Sequence, residues 1–445
     1  MAHDGCAGLS PDGWLPDRIA VGVLTSVFPP DLVDAAVAEA GAREQRCRLL
    51  PARLVVYFTL ALWLFRGRNC GYGQVMMKLA DGLYHQRQNA GLLERQLGAG
   101  GSTDGGRRWR QPNISNMARG RGKLGPEPLR NLFLQVAGPT GAVGAPGVWH
   151  CGLRIVSIDG AVTDVPDSKA NDEYFGRPAN QRGNGSFPQV RWVVAAESRT
   201  GSLLGAALGP YPSGDRALAL DLLGCLGHGQ LVLADRNFLS WSLARDVLAT
   251  GAHILWRAAS CLALTSVQVL ADGSYLAELR PPGMTGGPAI TARVIECTVL
   301  TARAARTEPA TPEIFRLVTD LTDPDKYPAV DLAGCYPERW RCEAVIGRHK
   351  TDMGAGHPVL RSKDPAGVAQ EMWALFAVHQ ALGKTMGTGA ATGGISPARI
   401  GFLPALAGAT DAPGEFPGVR YYPFPAIPTP ISGHSDTERP LMQGH

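Results

Sequence analysis

Little in this chain marks it for export, for a membrane or for a structural metal. Its first residues, MAHDGCAGLSPDG, have neither the basic flank nor the apolar core of a signal peptide. The most apolar run, Leu54 to Phe65 (LVVYFTLALWLF), is twelve residues long and is bracketed by Arg53 and Arg66. A bilayer-spanning helix needs about twenty apolar residues, so this run predicts a buried core helix instead. No two of the nine cysteines have CxxC spacing, and none combines with histidine in a zinc-like pattern. They read as reduced thiols in a cytosolic protein without a structural zinc.

Several catalytic signatures are missing as well. There is no GxSxG nucleophile elbow. Gly383-Lys384-Thr385 resembles the end of a phosphate-binding loop, but Val378 stands where its first glycine belongs, so ATP binding finds no support. GRGKLG (Gly120 to Gly125) has dinucleotide-type spacing but does not follow a strand. Excess charge is also scarce, at +4 over 445 residues. That weak bias is compatible with a nucleic-acid partner without establishing one.

What the chain has in excess is glycine and proline, 55 and 34 residues. Their share, about a fifth against a usual share near 12%, predicts many turns. At 45% hydrophobic and 18% charged, the composition remains globular. Residues 1–137 read as helical and 138–148 (GPTGAVGAPGV) as a linker. Within the first part, Arg107 to Arg130 holds seven Arg or Lys and one acid, Glu127. Asn113 is placed to cap a short helix ending at Gly125 and carrying Arg119, Arg121 and Lys123. With the helix that follows, this suits a helix-turn-helix-like DNA reader, or equally a solvated basic face on a bundle.

From 149 to 257 the period changes to that of strands, in the order three strands, helix, strand, helix, strand. LRIVSID ends at Asp159 and LVLAD ends at Asp235. Gly160 would let the chain turn sharply after Asp159 and aim its carboxylate at the sheet end. Strand ends are where open α/β sheets gather functional groups. Residues 258–331 read as a β-rich insertion, 332–386 as two long helices, and 387–445 as a loosely ordered Gly/Pro-rich tail. Trp256 reads as a core residue, with stacking on an extruded base as the competing reading.

The most informative stretch is CYPERWRCEAVIGRHK. Tyr336, Arg339, Glu343 and Lys350, three, four and seven residues apart, fall along one stripe of a helix. An amphipathic helix would bury apolar groups there. A carboxylate among cationic donors suits metal-dependent phosphodiester chemistry, although a surface ladder of ion pairs has the same spacing. Two strand-end aspartates plus a helical glutamate make a set of hard oxygen ligands for Mg²⁺ or Mn²⁺.

On these residues the chain resembles the insertion-element-four-type DDE transposases. IDGAVTDVPDSKANDEYFGRP is similar to the segment around that family's first aspartate, and VLADRNF to the second. YPERWRCEAVIGRHK fits its tyrosine–arginine–glutamate–lysine signature at every spacing, and the similarity runs from about residue 15 to 405. Two departures, Ala161 for a hydroxyl residue and Asn237 for glycine, remove no ligand.

The resemblance implies an α/β, ribonuclease H-like mixed sheet flanked by helices, with a β-rich insertion and a helical N-terminal DNA-binding domain. It implies Asp159, Asp235 and Glu343 as catalytic ligands of two Mg²⁺ or Mn²⁺ ions, and Tyr336, Arg339 and Lys350 as grips on DNA phosphates. It implies terminal inverted repeats and target DNA as partners, a homodimer in the synaptic complex, no nucleotide cofactor, no membrane, and a place in the cytoplasm at the bacterial nucleoid. An inactive DNA-binding repressor and a metal-dependent nuclease without strand transfer are the alternatives.

Overall fold

A computed structural model of the chain describes residues 22–44, 50–66, 71–79, 112–145, 147–180, 183–283, 287–301, 311–353 and 359–392. The expectations for the amino-terminal segment before residue 22, for the glycine-rich loop Gly98 to Gly106 and for the tail beyond 392 lie outside these residues.

The amino-terminal helices are α1 (Gly22–Val27), α2 (Pro30–Glu39), α3 (Ala52–Leu64), α4 over residues 72–79, α5 (Ile114–Leu124) and α6 (Glu127–Val136). The apolar run Leu54 to Phe65 forms most of α3 and is buried throughout, as a core helix should be. No helix among the described residues is long and apolar enough to cross a membrane. Asn113 caps α5 by accepting the Asn116 N–H at 2.8 Å, and Gly125 ends the helix at φ +68°, a conformation that disfavours residues with a side chain.

The second half is built on one sheet. Its strands are β1 (Trp149–His150), β2 (Leu153–Asp164), β5 (Gln189–Glu197), β6 (Leu203–Pro210), β7 (Gln230–Ala234), β8 (His253–Arg257), β9 (Ser266–Val269), β10 (Tyr275–Leu279), β11 (Ile290–Thr301) and β12 (Thr311–Thr319). A separate small ribbon pairs β3 (Ala179–Asn180) with β4 (Gly183–Asn184) after helix α7 (Lys169–Phe175). The order across the large sheet is β6-β5-β2-β7-β8-β12-β11-β10-β9. The first three strands are antiparallel to one another, while β7 and β8 run parallel to β2. This is the ribonuclease H-like arrangement. The β-rich stretch after β8 does not fold away from it, because β12 pairs antiparallel with β8 and extends the same sheet.

Helices cover both faces. Helix α8 (Asp215–Ala219) and α9 (Trp241–Ala249) pack on the face formed by Val156, Ile158, Val193 and Val232. On the other face lie α10 (Ala329–Cys335), α11 (Trp340–Gly347) and α12 (Pro365–Thr392). Helix α12 runs six residues past the expected end at Met386 and is buried on all sides from Gln370 to Leu382. It is enclosed because the sheet residues Trp192 and Val194 and the amino-terminal helices share one apolar core around it. Trp63 Nε1 donates to the Glu371 carbonyl at 2.7 Å across this junction. The linker is also fixed. Buried Glu197 accepts the Thr140 and Gly141 amides at 3.2 and 2.7 Å and is paired with Arg154.

Arg121 belongs to this junction and not to a DNA-binding face. Its side chain is 5% exposed, donates to Gln370 Oε1 at 2.8 Å and to Tyr72, and lies 3.5 Å from Glu371, itself 3% exposed. The reading of Arg121 as a DNA contact is therefore corrected: on α5, Met117, Arg121 and Leu124 share the inward stripe, so the guanidinium is spent inside. Arg119 and Lys123 are exposed on the opposite side. Without Arg121, buried Glu371 keeps the Arg361 amide at 3.0 Å and the Ser362 hydroxyl but loses a paired cation, and Gln370 loses a donor. Arg121→Ala is therefore expected to lower unfolding free energy by about 1–3 kcal/mol in denaturant titrations. The Arg119→Ala/Lys123→Ala double variant is expected to melt normally.

Candidate active site

The parallel strands set the site. In the β2–β7 pairing Ser157 stands opposite Leu233, and the same register carried two residues further sets Asp159 level with Asp235. Residues level on parallel neighbours point to the same face. In the β7–β8 pairing Ala234 stands opposite Trp256, which sets Arg257 level with Asp235 in turn. Two carboxylates and a guanidinium thus form one row across β2, β7 and β8.

The local setting of Asp159 differs from the sequence expectation. It is not at a strand end, and Gly160 makes no turn: β2 continues to Asp164, with Gly160 paired to Val193 on β5. What ends near Asp159 is only the parallel side of β2, because β7 stops at Ala234 while β5 pairs further. Gly160 is needed for space. A Cβ there would lie 3.0 Å from the Asp215 carboxylate, which Arg191 holds at 2.6 Å, and 3.3 Å from Val193. Gly160→Ala is expected to cost about 1–3 kcal/mol, read as a lowered denaturant midpoint.

Glu343 is delivered by α11. Its neighbour Cys342 is fully buried, with the thiol 3.7 Å from the Ser157 carbonyl, so α11 is seated on β2 two residues before Asp159. Glu343 itself is half exposed. Burial pushes the Asp159 carboxyl up to about 6; the Gly160 amide at 2.8 Å and Arg339 oppose this, while Asp235 and Glu343 add to it. The three acids therefore share one electrostatic neighbourhood. Even so, among the described residues no three His, Cys, Asp or Glu side chains are gathered into a ready metal cage. The Arg339 guanidinium stands between two of the acids, 2.8 Å from Glu343 and 3.7 Å from Asp159.

The signature segment is not one regular helix. Tyr336–Arg339 is a tight 3₁₀ turn, α11 is regular, and Arg348–Asp352 is π-helical. Successive changes of winding break the single stripe expected for Tyr336, Arg339, Glu343 and Lys350. The i, i+4 step from Arg339 to Glu343 survives as a direct ion pair. Lys350, half-buried on the wide turn, is not brought against the acids by any contact. Tyr336 departs furthest from a phosphate grip. It is buried, its hydroxyl donates to the Ala234 carbonyl at 3.2 Å, and burial holds its proton up to about 12. It fastens this segment to the strand end that carries Asp235.

A cleft of about 300 Å³ opens beside this row, lined by Asp235, Arg236, Arg257, Phe315, Arg339 and Trp340 among others. Arg236, Arg257 and Trp340 were not singled out from sequence. Arg236 and Trp340 directly follow Asp235 and Arg339, inside the quoted motifs. Arg257 carried no local signal and reaches the cleft only through strand pairing. It lies 3.6 Å over the Phe315 ring. Trp256 is fully buried in the core and is not offered to a base.

Known families match both halves of the chain. The insertion element 4 transposase N-terminal family matches residues 18–134, and the transposase DDE domain matches residues 150–380, which is more than half of the chain. The chain belongs to the insertion-element-4-type DDE transposases. It is similar to the transposase InsG for insertion sequence element IS4 of Escherichia coli (strain K12), at 26% identity over 374 residues, covering 80% of this chain and 74% of that one. Among solved structures it is similar to a piggyBac transposase synaptic complex with hairpin DNA, at a TM-score of 0.42 and 11% identity, over 88% of this chain and 80% of the other. This DDE transposase is thus an enzyme acting on DNA, the transposase of an insertion sequence, and the repressor and simple-nuclease alternatives are not favoured. Transposase DDE domains work with divalent metal ions. Asp235 lines the cleft, and Asp159 and Glu343 both face Arg339 on its wall; carboxylate oxygens of this kind are a donor set that fits a hard divalent cation.

Proposed function

We propose that this transposase cuts its element's ends and joins them to target DNA at Asp159, Asp235 and Glu343, with two Mg²⁺ or Mn²⁺ ions held by those three carboxylates. The observation that supports this most is the parallel register of β2 and β7, which, carried just past the end of β7, brings Asp235 level with Asp159, with Glu343 close enough to raise the Asp159 carboxyl. When bound, such ions supply Lewis acidity to the attacking and leaving oxygens. The chain's own residues do the rest. Tyr336 holds the end of β7 in place. Arg236, Arg257 and Arg339 line the cleft as donors for phosphate oxygens, and Lys350 meets the DNA further along. Water attacks the phosphodiester at the element's end and frees a 3′-hydroxyl, which then attacks target DNA in line.

In this reading Arg119 and Lys123 face the terminal inverted repeats. Two copies of the chain hold the two ends together, in the cytoplasm at the nucleoid. Phosphate contacts of this kind make binding steeply salt-dependent. The test is cleavage and joining of a duplex carrying the element's terminal repeat, in Mg²⁺, by the chain and by Glu343→Gln. Metal-dependent cutting that survives this substitution removes Glu343 from the site. Cutting by the unaltered chain without joining returns the reading to a nuclease.

A further inference from the structure

Arg339 is ion-paired with both Asp159 and Glu343, and its side chain is only 10% exposed. Two of its nitrogens face Glu343 and Asp159, at 2.8 and 3.7 Å. Its third, Nε–H, is buried with no hydrogen-bond partner among the described residues. A buried donor left unpaired costs free energy that an arriving acceptor relieves. The same guanidinium lines the cleft with Arg236 and Arg257, where a DNA phosphate would bring such an acceptor.

One positive charge cannot neutralise Asp159 and Glu343, leave them both free for a divalent ion, and grip a phosphate at the same time. We propose that Arg339 is an internal counter-cation in the DNA-free transposase: it occupies the electrostatic place of the metal between Asp159 and Glu343, and it exchanges onto a phosphate when DNA enters. The inference rests on the reading of those two acids as metal ligands and adds a positioning role for Arg339. Two consequences follow from linkage. Metal binds weakly until DNA draws the guanidinium away, and metal tightens DNA binding by the same factor that DNA tightens metal binding. The chain then avoids carrying a loaded cutting centre before a duplex is present.

Arg339 is well placed for the exchange. The chain changes there from a 3₁₀ turn to α11, and its side chain pairs with Glu343 one helical turn ahead. Rotation of the flexible arginine alone can break that pair. The backbone stays anchored by Tyr336 on Ala234 and by Cys342 against β2.

The experiment is calorimetric titration of Mn²⁺ into the full chain, with and without a duplex carrying the terminal repeat, for wild type, Arg339→Gln, Arg339→Lys and Arg339→Gln/Glu343→Gln. Without DNA, Arg339→Gln is expected to bind Mn²⁺ about tenfold or more tightly than wild type. DNA is expected to tighten Mn²⁺ binding in wild type and to add little in Arg339→Gln. Arg339→Lys, which keeps a cation, is expected to remain close to wild type. A merely structural arginine predicts the opposite, because its loss would loosen the site and weaken metal binding. Binding by Arg339→Gln that needs Glu343 but is no tighter than wild type overturns the exchange and leaves the ligand reading intact. Binding that persists in the double variant overturns the ligand reading itself.

Discussion

Asp235→Asn is expected to yield a transposase that folds and binds duplex DNA normally but cleaves element ends at least about a thousandfold more slowly. Asp235 is half-buried just beyond β7, and its Oδ1 accepts the Asn237 amide at 2.8 Å. Asparagine keeps that acceptor and nearly the same shape, so local structure and melting temperature should change little. On the proposed reading, what is lost is a carboxylate oxygen ligand for the metal. Electrostatic stabilisation by a bound metal ion contributes several kcal/mol to a transition state, and each ~1.4 kcal/mol is a factor of ten in rate. The measurement is Mg²⁺-dependent cleavage of an end-labelled duplex under single-turnover conditions. A rate within tenfold of wild type would take Asp235 out of the reaction.

Asp159→Asn is expected to abolish cleavage as well, yet to stabilise the metal-free fold above about pH 6. The sign follows from the direction of the shift. Burial raises the folded-state carboxyl to about 6 from an ordinary value of 3.8. Between those values the folded chain holds a proton that the unfolded chain has lost. Stability from this group is therefore full below about pH 4, falls as pH rises, and is lost above about pH 6, a difference of about 2–3 kcal/mol.

His349 and His379 act oppositely over much of this range. Both are buried, and desolvation holds the first well below the ordinary histidine value and the second down to about 4, so their contribution grows with pH. The informative quantity is thus the difference between wild type and Asp159→Asn in urea midpoints from pH 4 to 8. That difference should open above about pH 4, level off above about pH 6 in the metal-free chain, and shrink when Mg²⁺ is added to wild type. A difference independent of pH would remove the buried carboxylate as its cause.

Much of the fold was legible because its signals are local. Leu54 to Phe65 announced a core helix by apolarity alone, and Asn113 and Gly125 bounded α5 by capping chemistry. Alternation and turn residues announced the strands. Arg121 was misplaced for a reason of the same kind. Its charge suggested solvent, and only the packing of α5 against α12 supplies Gln370 and Glu371, some 250 residues away, as partners. Tyr336 was likewise recognisable as part of a signature, while its burial against Ala234 was not. Arg257 carried no local mark at all.

By itself, the sequence determined the family signature: two aspartates and a glutamate, Asp159, Asp235 and Glu343, proposed here as the reacting centre, and the spacing of Tyr336, Arg339 and Lys350 around them. Side-chain identity and short-range periodicity are written along the chain. Only the tertiary structure decided that β2 continues past Asp159, that the insertion joins the main sheet, and that Arg339 stands between two of the acids. Those outcomes depend on strand register and helix seating between distant segments, and register is fixed when the two faces of the sheet bury together, which no local window of residues contains.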